Sequence, residues 1–546
     1  MKFLRVFINS LLCGLFFSFL LGLLIYDLNI NLSFNLLFLF QLTFFLFFSY
    51  GLIITIICLM VYFIFEFILG RKVNIFWISP FFLSIFFSLL TLLFFAIFKI
   101  NQNFFLSFFD STTEGFLKNQ SIAFILLFFS GILINYGYYL YKKKVLFFVL
   151  YGIILFALLS FAVYQRARFP IPTKADPVAH IDQTKINKRV TVIGLEGLNF
   201  DFLIPLINEG KLPNFSWLME EGSWGKLTAF TPSEPLIFNS SFNTGKMPAK
   251  HRQLSTLKYQ LLNFEQEIEV VPRFILFRQL TRLGLLYYRT ARSTPITKDI
   301  WTVFQENQTP FIKKDWPYKE APKEPNPLVD TLFEMYFKDL KYEIDPIMTL
   351  LKESFYSDCA YENEANTAIK NNNSQISYFM LNGLNIVEKY FFRYSFPNLF
   401  GDIDQEDITK YGTVIERYYQ FYDRIISKYL ATLKENELLV VFSPHSIEAL
   451  PLWKRYVEFF LGNSTISAYH DNAPEGVVLF YGKEIARSEN IEGIRLVDIS
   501  PTLLYYLNFH VGLDMDGIVR TYIFKDDFRA ENPVSYIRTY DQVTIK

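Results

Sequence analysis

Long apolar runs fill the first 165 residues and then stop. Four of them have the length and purity of a membrane-spanning helix: roughly Val6–Tyr26, Phe76–Phe98, Ser121–Tyr141 and Val145–Val163. A longer stretch, about Phe34–Leu69, fits either one tilted span or two short ones. The flanking cations decide between these. Lys2 and Arg5 precede the first run, Arg71 and Lys72 follow the long one, and Lys142 to Lys144 separate the last two. With five spans all three clusters fall on one face of the bilayer, as the positive-inside rule expects; a sixth span would split them. The pattern therefore predicts a multi-pass integral membrane protein of about five spans, its N-terminus cytoplasmic and its C-terminal domain extracytoplasmic. Further apolar runs follow the first, so a cleaved signal peptide does not fit.

Residues 166–188 read RARFPIPTKADPVAHIDQTKINK, with three prolines between Pro170 and Pro177, the composition of an extended stalk. From residue 189 strand-like and helix-like segments alternate, which predicts a doubly wound, mostly parallel sheet covered by helices. The division expected is thus a helical membrane domain over 1–165, a linker over 166–188 and an α/β domain over 189–546. The first strand is the β-branched run Val190 to Ile193, ending in Glu196 between Gly194 and Gly197. Asn199 reads as a helix N-cap, and Phe202, Leu203, Leu206 and Ile207 follow with helical period. Chemistry in open α/β sheets gathers at the carboxyl ends of strands. Glu196 is accordingly a metal ligand or general base, or else an acid stabilised by the entry to a helix.

Charge changes the picture little. The chain carries 52 basic and 52 acidic residues, but residues 1–165 hold nine and four of them, leaving a mildly acidic remainder. No basic stripe suits nucleic acid. Few ionisable residues lie within the spans, and Glu66 sits near a span end, which argues against a transporter. Of three cysteines, Cys13 and Cys58 fall in spans, so Cys359 has no partner for a disulfide within the C-terminal domain.

Several blocks go further. The opening strand is followed by NEGKLPNFSWLMEEG (208–222) and by TGKMPAKH (244–251). A middle element reads DIWTVFQENQTPFIKKDWPYKEAP (299–322), and PEGVVLFYGKEIARSENIEGIRLVDISPTLLYYLNFHVGLDMDGIVRTYIF (474–524) lies near the C-terminus. Together these resemble the type I phosphodiesterase/nucleotide pyrophosphatase branch of the alkaline-phosphatase superfamily. The resemblance implies an alkaline-phosphatase-like fold and phosphoric-ester chemistry at two divalent metals about 4 Å apart. Such a pair takes roughly six Asp/His ligands and a metal-activated Thr or Ser nucleophile.

Carried over position by position, little of that set survives. The first acidic ligand becomes Glu196, a longer oxygen donor also used by the membrane phosphotransferases this chain resembles. Counting back from Thr244 puts the nucleophile at Pro235, with Glu234 before it; a slip brings Ser233 into range, while Ser240 and Ser241 suit a buried small-residue role. The D-x-x-x-H ligands become Asn385 and Lys389, and Lys389 would set a positive charge where a metal sits. Lys389 could instead stand in for the lost metal and bind an anion with His445 and His470, or pair with Glu196 or Glu388. The Asp-His pair after a buried strand becomes Pro444 and His445. The last histidine is His470, with Asp471 beside it. Glu196, His445 and His470 are the residual ligand positions, enough for no metal or a single zinc or manganese ion.

The expected function is a membrane-anchored phosphodiesterase-like pseudoenzyme with a binding or scaffolding role in the cell envelope, its partners the bilayer and an envelope protein or lipid-linked ligand. The alternative is an active hydrolase or phosphotransferase on a lipid-linked or nucleotide substrate with an altered metal site. Asp498 in LVDISPTLLYYL is expected at the start of a helix beginning near Pro501.

Overall fold

A computed structural model describes the chain except residues 1, 70–74, 142–143, 176, 178–186, 262–265, 274–285, 291–295, 315–326, 341–344, 372–373, 402, 471, 473 and 545–546. Arg71, Lys72, Lys142, Lys143, Asp471 and most of the stalk thus lie outside the described residues, as does the end of the middle element. The chain separates into two compact units. One comprises Met1–Thr173, Pro248–Arg292 and Thr544–Lys546, the other Lys174–Met247 and Ser293–Val543.

Five helices of the first unit are long and apolar enough to cross a membrane. They are α1 (Lys2–Leu28), the pair α2 (Leu36–Leu46) and α3 (Leu52–Leu69), α4 (Pro80–Phe104), α5 (Ser111–Tyr141) and α6 (Lys144–Ala167). A π-helical turn, Phe47–Gly51, joins α2 to α3, so the long apolar stretch runs as one span with a local irregularity. Its cause is close packing. A Cβ on Gly14 of α1 would stand 2.4 Å from the Gly51 carbonyl oxygen and from Thr55 Oγ1, so both glycines let the backbones meet. At the N-terminal end Lys2 is ion-paired with Glu66. At the other end of α1, Arg166 donates to the carbonyls of Tyr26, Asn29 and Leu32, closing the turn after the helix.

The described residues between 248 and 290 pack with these helices. A three-stranded antiparallel sheet (Leu257–Leu261, Glu267–Ile268, Leu286–Thr290) belongs to this segment. Asn29 Oδ1 accepts from the amides of Glu269 and Val270, both at 2.8 Å, and its Nδ2 donates to the Val270 carbonyl. Asn101 Oδ1 accepts from the Arg273 amide at 2.7 Å, and Arg252 donates to the Ile30 carbonyl.

The second unit is built on a seven-stranded sheet. In chain order its strands are β1 (Arg189–Leu195), β2 (Ser223–Leu227), β3 (Phe311–Lys313), β4 (Ile376–Leu381), β5 (Glu437–Ser443), β6 (Gly476–Tyr481) and β7 (Glu489–Asn490). They lie in the order β7-β2-β6-β5-β1-β4-β3. β1 runs parallel to both β4 and β5, and β3 parallel to β4, whereas β6 is antiparallel to β2 and β5. The central strands read as continuous apolar runs because both faces are covered. Ile193, Leu195, Phe379 and Val441 enter one core, together with helices α7 (Phe200–Asn208), α9 (Gly383–Ser395) and α10 (Val414–Thr432). Val190, Val192, Tyr378 and Phe442 enter the other, beneath α8 (Pro235–Thr244) and α12 (Leu496–Tyr506). The architecture is a helical membrane region plus a mixed, mostly parallel α/β domain, consistent with an alkaline-phosphatase-like fold.

One boundary differs from expectation. α12 begins at Leu496 rather than near Pro501, because Asp498 folds back onto the Arg495 amide and extends the helix by a turn. Asp498 also accepts from Arg520 at 2.6 Å and from the Ile518 amide at 2.9 Å, and is fully buried.

Candidate active site

The sheet brings three sequence positions to one place. Glu196 follows β1, His445 lies two residues beyond β5, and Asn385 sits in the first turn of α9, just after β4. These are adjacent parallel strands, so their carboxyl ends form one rim. Gly197 makes the approach possible. Its φ of +102° suits glycine, and a Cβ there would meet Glu388 Oε2 at 2.8 Å and the Asn385 amide at 2.9 Å. The turn is held by Ser443, whose Oγ accepts from the Gly197 amide and donates to the His445 carbonyl.

Glu196 is buried and fully engaged through one oxygen. Oε1 lies 3.1 Å from His445 Nε2 and accepts from Asn385 Nδ2 at 3.2 Å. His445 Nδ1 faces the Ser446 carbonyl at 3.2 Å. His470 stacks on His445 with ring centroids 4.2 Å apart, and Tyr469 stacks on His470 at 4.7 Å. Burial pushes the His470 imidazolium far below its ordinary pKa, and His445 and Lys389 push the same way, so His470 is neutral.

Lys389, read either as a metal stand-in beside His445 and His470 or as a partner of Glu196 or Glu388, has its Nζ over the Tyr469 ring, 4.6 Å from the centroid. Burial lowers its pKa, and the charge of Glu196 opposes that shift. Ser233 reaches the same loop by a different route, donating through Oγ to the His470 carbonyl at 2.8 Å. Ser240 and Ser241 are buried in α8.

Two participants escape a motif-led reading. Glu388 is buried on α9 and accepts from Tyr419 OH at 3.2 Å; burial raises its pKa well above the ordinary carboxylate range, and the Tyr419 hydrogen bond opposes that shift. The signal that could have found it is spacing: Asn385, Glu388 and Lys389 stand at i, i+3 and i+4, one face of a helix. Tyr419 reads in the sequence as core, and its hydroxyl also accepts from the Asn199 amide.

Whether this donor set suits the two metals implied by the family resemblance can be judged on its chemistry. It does not. Pro444 offers no ligating atom, and Asn385 and Lys389 stand where the resemblance implies an acid and a histidine. Among the described residues no group of three or more His, Cys, Asp or Glu is placed to hold a metal ion. The position that the resemblance implies for the nucleophile holds a proline. Pro235 begins α8, and the space above it is a cavity of about 10 Å³ lined by Glu196, Pro235, Phe238, Phe442, Pro444 and Leu496 among others. That is room for about one water molecule. Four buried polar atoms around the rim have no hydrogen-bond partner among the described residues: Glu196 Oε2, Asn385 Oδ1, Glu388 Oε2 and His470 Nδ1.

The comparisons bear on the same segment. No curated protein matches the chain. Residues 190–255, from β1 past α8, match the family model described as type I phosphodiesterase / nucleotide pyrophosphatase.

Proposed function

We propose that this chain is a membrane-anchored phosphodiesterase-like protein that has lost two-metal catalysis and serves as a binding or scaffolding element on the extracytoplasmic side of the cell envelope. The observation that carries the proposal is the hydrogen bond between Glu196 and His445. The two most recognisable residual ligands are spent on each other, with Asn385 completing the contact. Pro235 and Pro444 on the cavity wall leave neither a nucleophile nor a second metal's ligand beside them. Losses of this kind act on one catalytic unit, so they are not compensated singly. Placement outside the cytoplasm rests on the cation clusters flanking the spans. Ser233 gives its hydroxyl proton to the His470 carbonyl.

A second reading, an active hydrolase or phosphotransferase with a single altered metal, is favoured by the four unpaired polar atoms, since buried groups of this kind usually find a partner. Turnover of a chromogenic phosphodiester by the full-length protein in nanodiscs, with zinc or manganese, separates the two. The pseudoenzyme reading expects the rate of the wild type to equal that of Glu196→Ala. Metal-stimulated turnover abolished by Glu196→Ala would overturn it in favour of the single-metal enzyme.

A further inference from the structure

Helix α11 (Leu452–Phe460) has the sequence LWKRYVEFF and contains no buried residue. Its amphipathic pattern is inverted. At 100° per residue Leu452, Trp453, Tyr456, Val457, Phe459 and Phe460 fall on one broad arc, and Lys454, Arg455 and Glu458 on the opposite one. A surface helix of a soluble domain turns its apolar arc to the core. Here the polar arc faces the protein. Arg455 donates to the carbonyls of Leu450 and Leu399 at 2.7 and 2.9 Å, and its guanidinium covers the Phe400 ring at 4.0 Å. Lys454 lies over the Tyr469 ring at 5.1 Å. The apolar arc is left outward, with Leu452 64% and Phe460 84% exposed, and Leu399 beside it is 55% exposed.

Cost makes that arrangement informative. An outward row of two phenylalanines, a tryptophan, a tyrosine and aliphatic residues forfeits burial at roughly 25 cal/mol for each Å² left in water. A cluster of this kind marks an interaction surface. Its composition specifies which. Trp and Tyr with Phe and Leu on one face, and Lys and Arg on the other, is the chemistry of a helix lying in the headgroup region of a bilayer. Five other helices of the chain are long and apolar enough to cross such a bilayer.

We propose that α11 is an interfacial helix that inserts its Leu452, Trp453, Tyr456, Phe459 and Phe460 face into the lipid headgroup boundary. Its polar arc then remains fastened to the α/β domain through Arg455 and Lys454. Tyr469 carries Lys454 of this helix and Lys389 of the rim on its ring, and the Ser467 amide donates to the Lys389 carbonyl. Insertion thus holds the rim beside lipid headgroups, whichever way the site itself works.

The test places an environment-sensitive fluorophore on Phe460→Cys in the full-length protein in phosphatidylcholine/phosphatidylglycerol nanodiscs. The native Cys13, Cys58 and Cys359 are all buried, and Glu435→Cys, whose side chain is 89% exposed, serves as the water-facing control. The expected result is emission shifted to the blue relative to the control and quenched by headgroup-region spin-labelled lipid, with both effects lost on Trp453→Asp/Phe459→Asp. Water-like emission at position 460 would overturn the proposal. So would a blue shift that spin-labelled lipid does not quench, which would assign the face to a second copy or another protein.

Discussion

At the scale of single residues, hydrogen bonds from His445 and Asn385 converge on one oxygen of Glu196. Replacing Glu196 with alanine should leave His445 Nε2 without its buried partner and Asn385 Nδ2 with only its bond to Asn382 Oδ1, and cost about 1–3 kcal/mol of stability. A fall in the thermal midpoint, with phosphodiester turnover unchanged, is the expected pair of results. A second buried acid gives a pH signature. Asp358 accepts from Tyr418 and Tyr422 hydroxyls at 2.8 Å and from the first amide of α9, and burial, opposed by those bonds, raises its pKa from 3.8 to about 6. The folded state then binds the proton more tightly than the unfolded one, so this residue's contribution is fully present below pH 3.8 and lost as pH rises through 6. At about 1.4 kcal/mol per pKa unit the effect is at most about 3 kcal/mol. Asp358→Asn removes it, and the variant's stability deficit should therefore grow between pH 7 and pH 4.5; a deficit independent of pH would contradict the assignment. Glu196 is readable at the end of its strand, whereas Asn385, His445 and His470 are singled out only by the family resemblance. Their partners are not legible in the sequence. That Lys389 lies over Tyr469 instead of pairing with an acid depends on the long-range approach of the 467–470 loop to α9.

At the scale of elements, amphipathic period is a reliable guide to which helices exist and a poor one to what they face. α11 shows both sides of that: its period is plain, but only the tertiary contacts of Arg455 reveal that the apolar arc points outward. The start of α12 was misplaced for a related reason, because Pro501 suits a first turn and the fold-back of Asp498 cannot be seen in the sequence. The buried Asp498–Arg520 pair should be costly to break from one side. Asp498→Ala leaves the guanidinium without its carboxylate and is expected to destabilise the α/β domain by about 3–5 kcal/mol. Partial proteolysis of the full-length protein would register it, and resistance equal to wild type would contradict it. The segment 248–292 rests on lighter ties. Asn29→Ala should expose the amides of Glu269 and Val270, and hydrogen exchange there should accelerate by about 5- to 150-fold, the equivalent of 1–3 kcal/mol. Unchanged exchange would mean that the sheet holds the segment without Asn29.

At the scale of the whole molecule, a membrane unit of five apolar helices is joined to an α/β unit whose opening segment carries the type I phosphodiesterase/nucleotide pyrophosphatase pattern. The spans were readable because apolar length is a local property, although one run required the Gly14–Gly51 contact to explain its π-helical turn. The packing of the described residues between 248 and 290 with the helices was not readable, since it is carried by a few Asn and Arg side chains bonding to backbone. On the proposed reading scaffold and chemistry have parted: the strands, the tight Gly197 turn and the two cores are in place, while Pro444, Lys389 and Asn385 stand where the family resemblance implies metal ligands. The central claim is therefore about metal. Elemental analysis of the purified full-length protein, after incubation with zinc and manganese and removal of free ion, measures it directly. Well under one equivalent, unchanged in Glu196→Ala and His445→Ala, is the expected result; a stoichiometric metal lost in either variant would contradict the account.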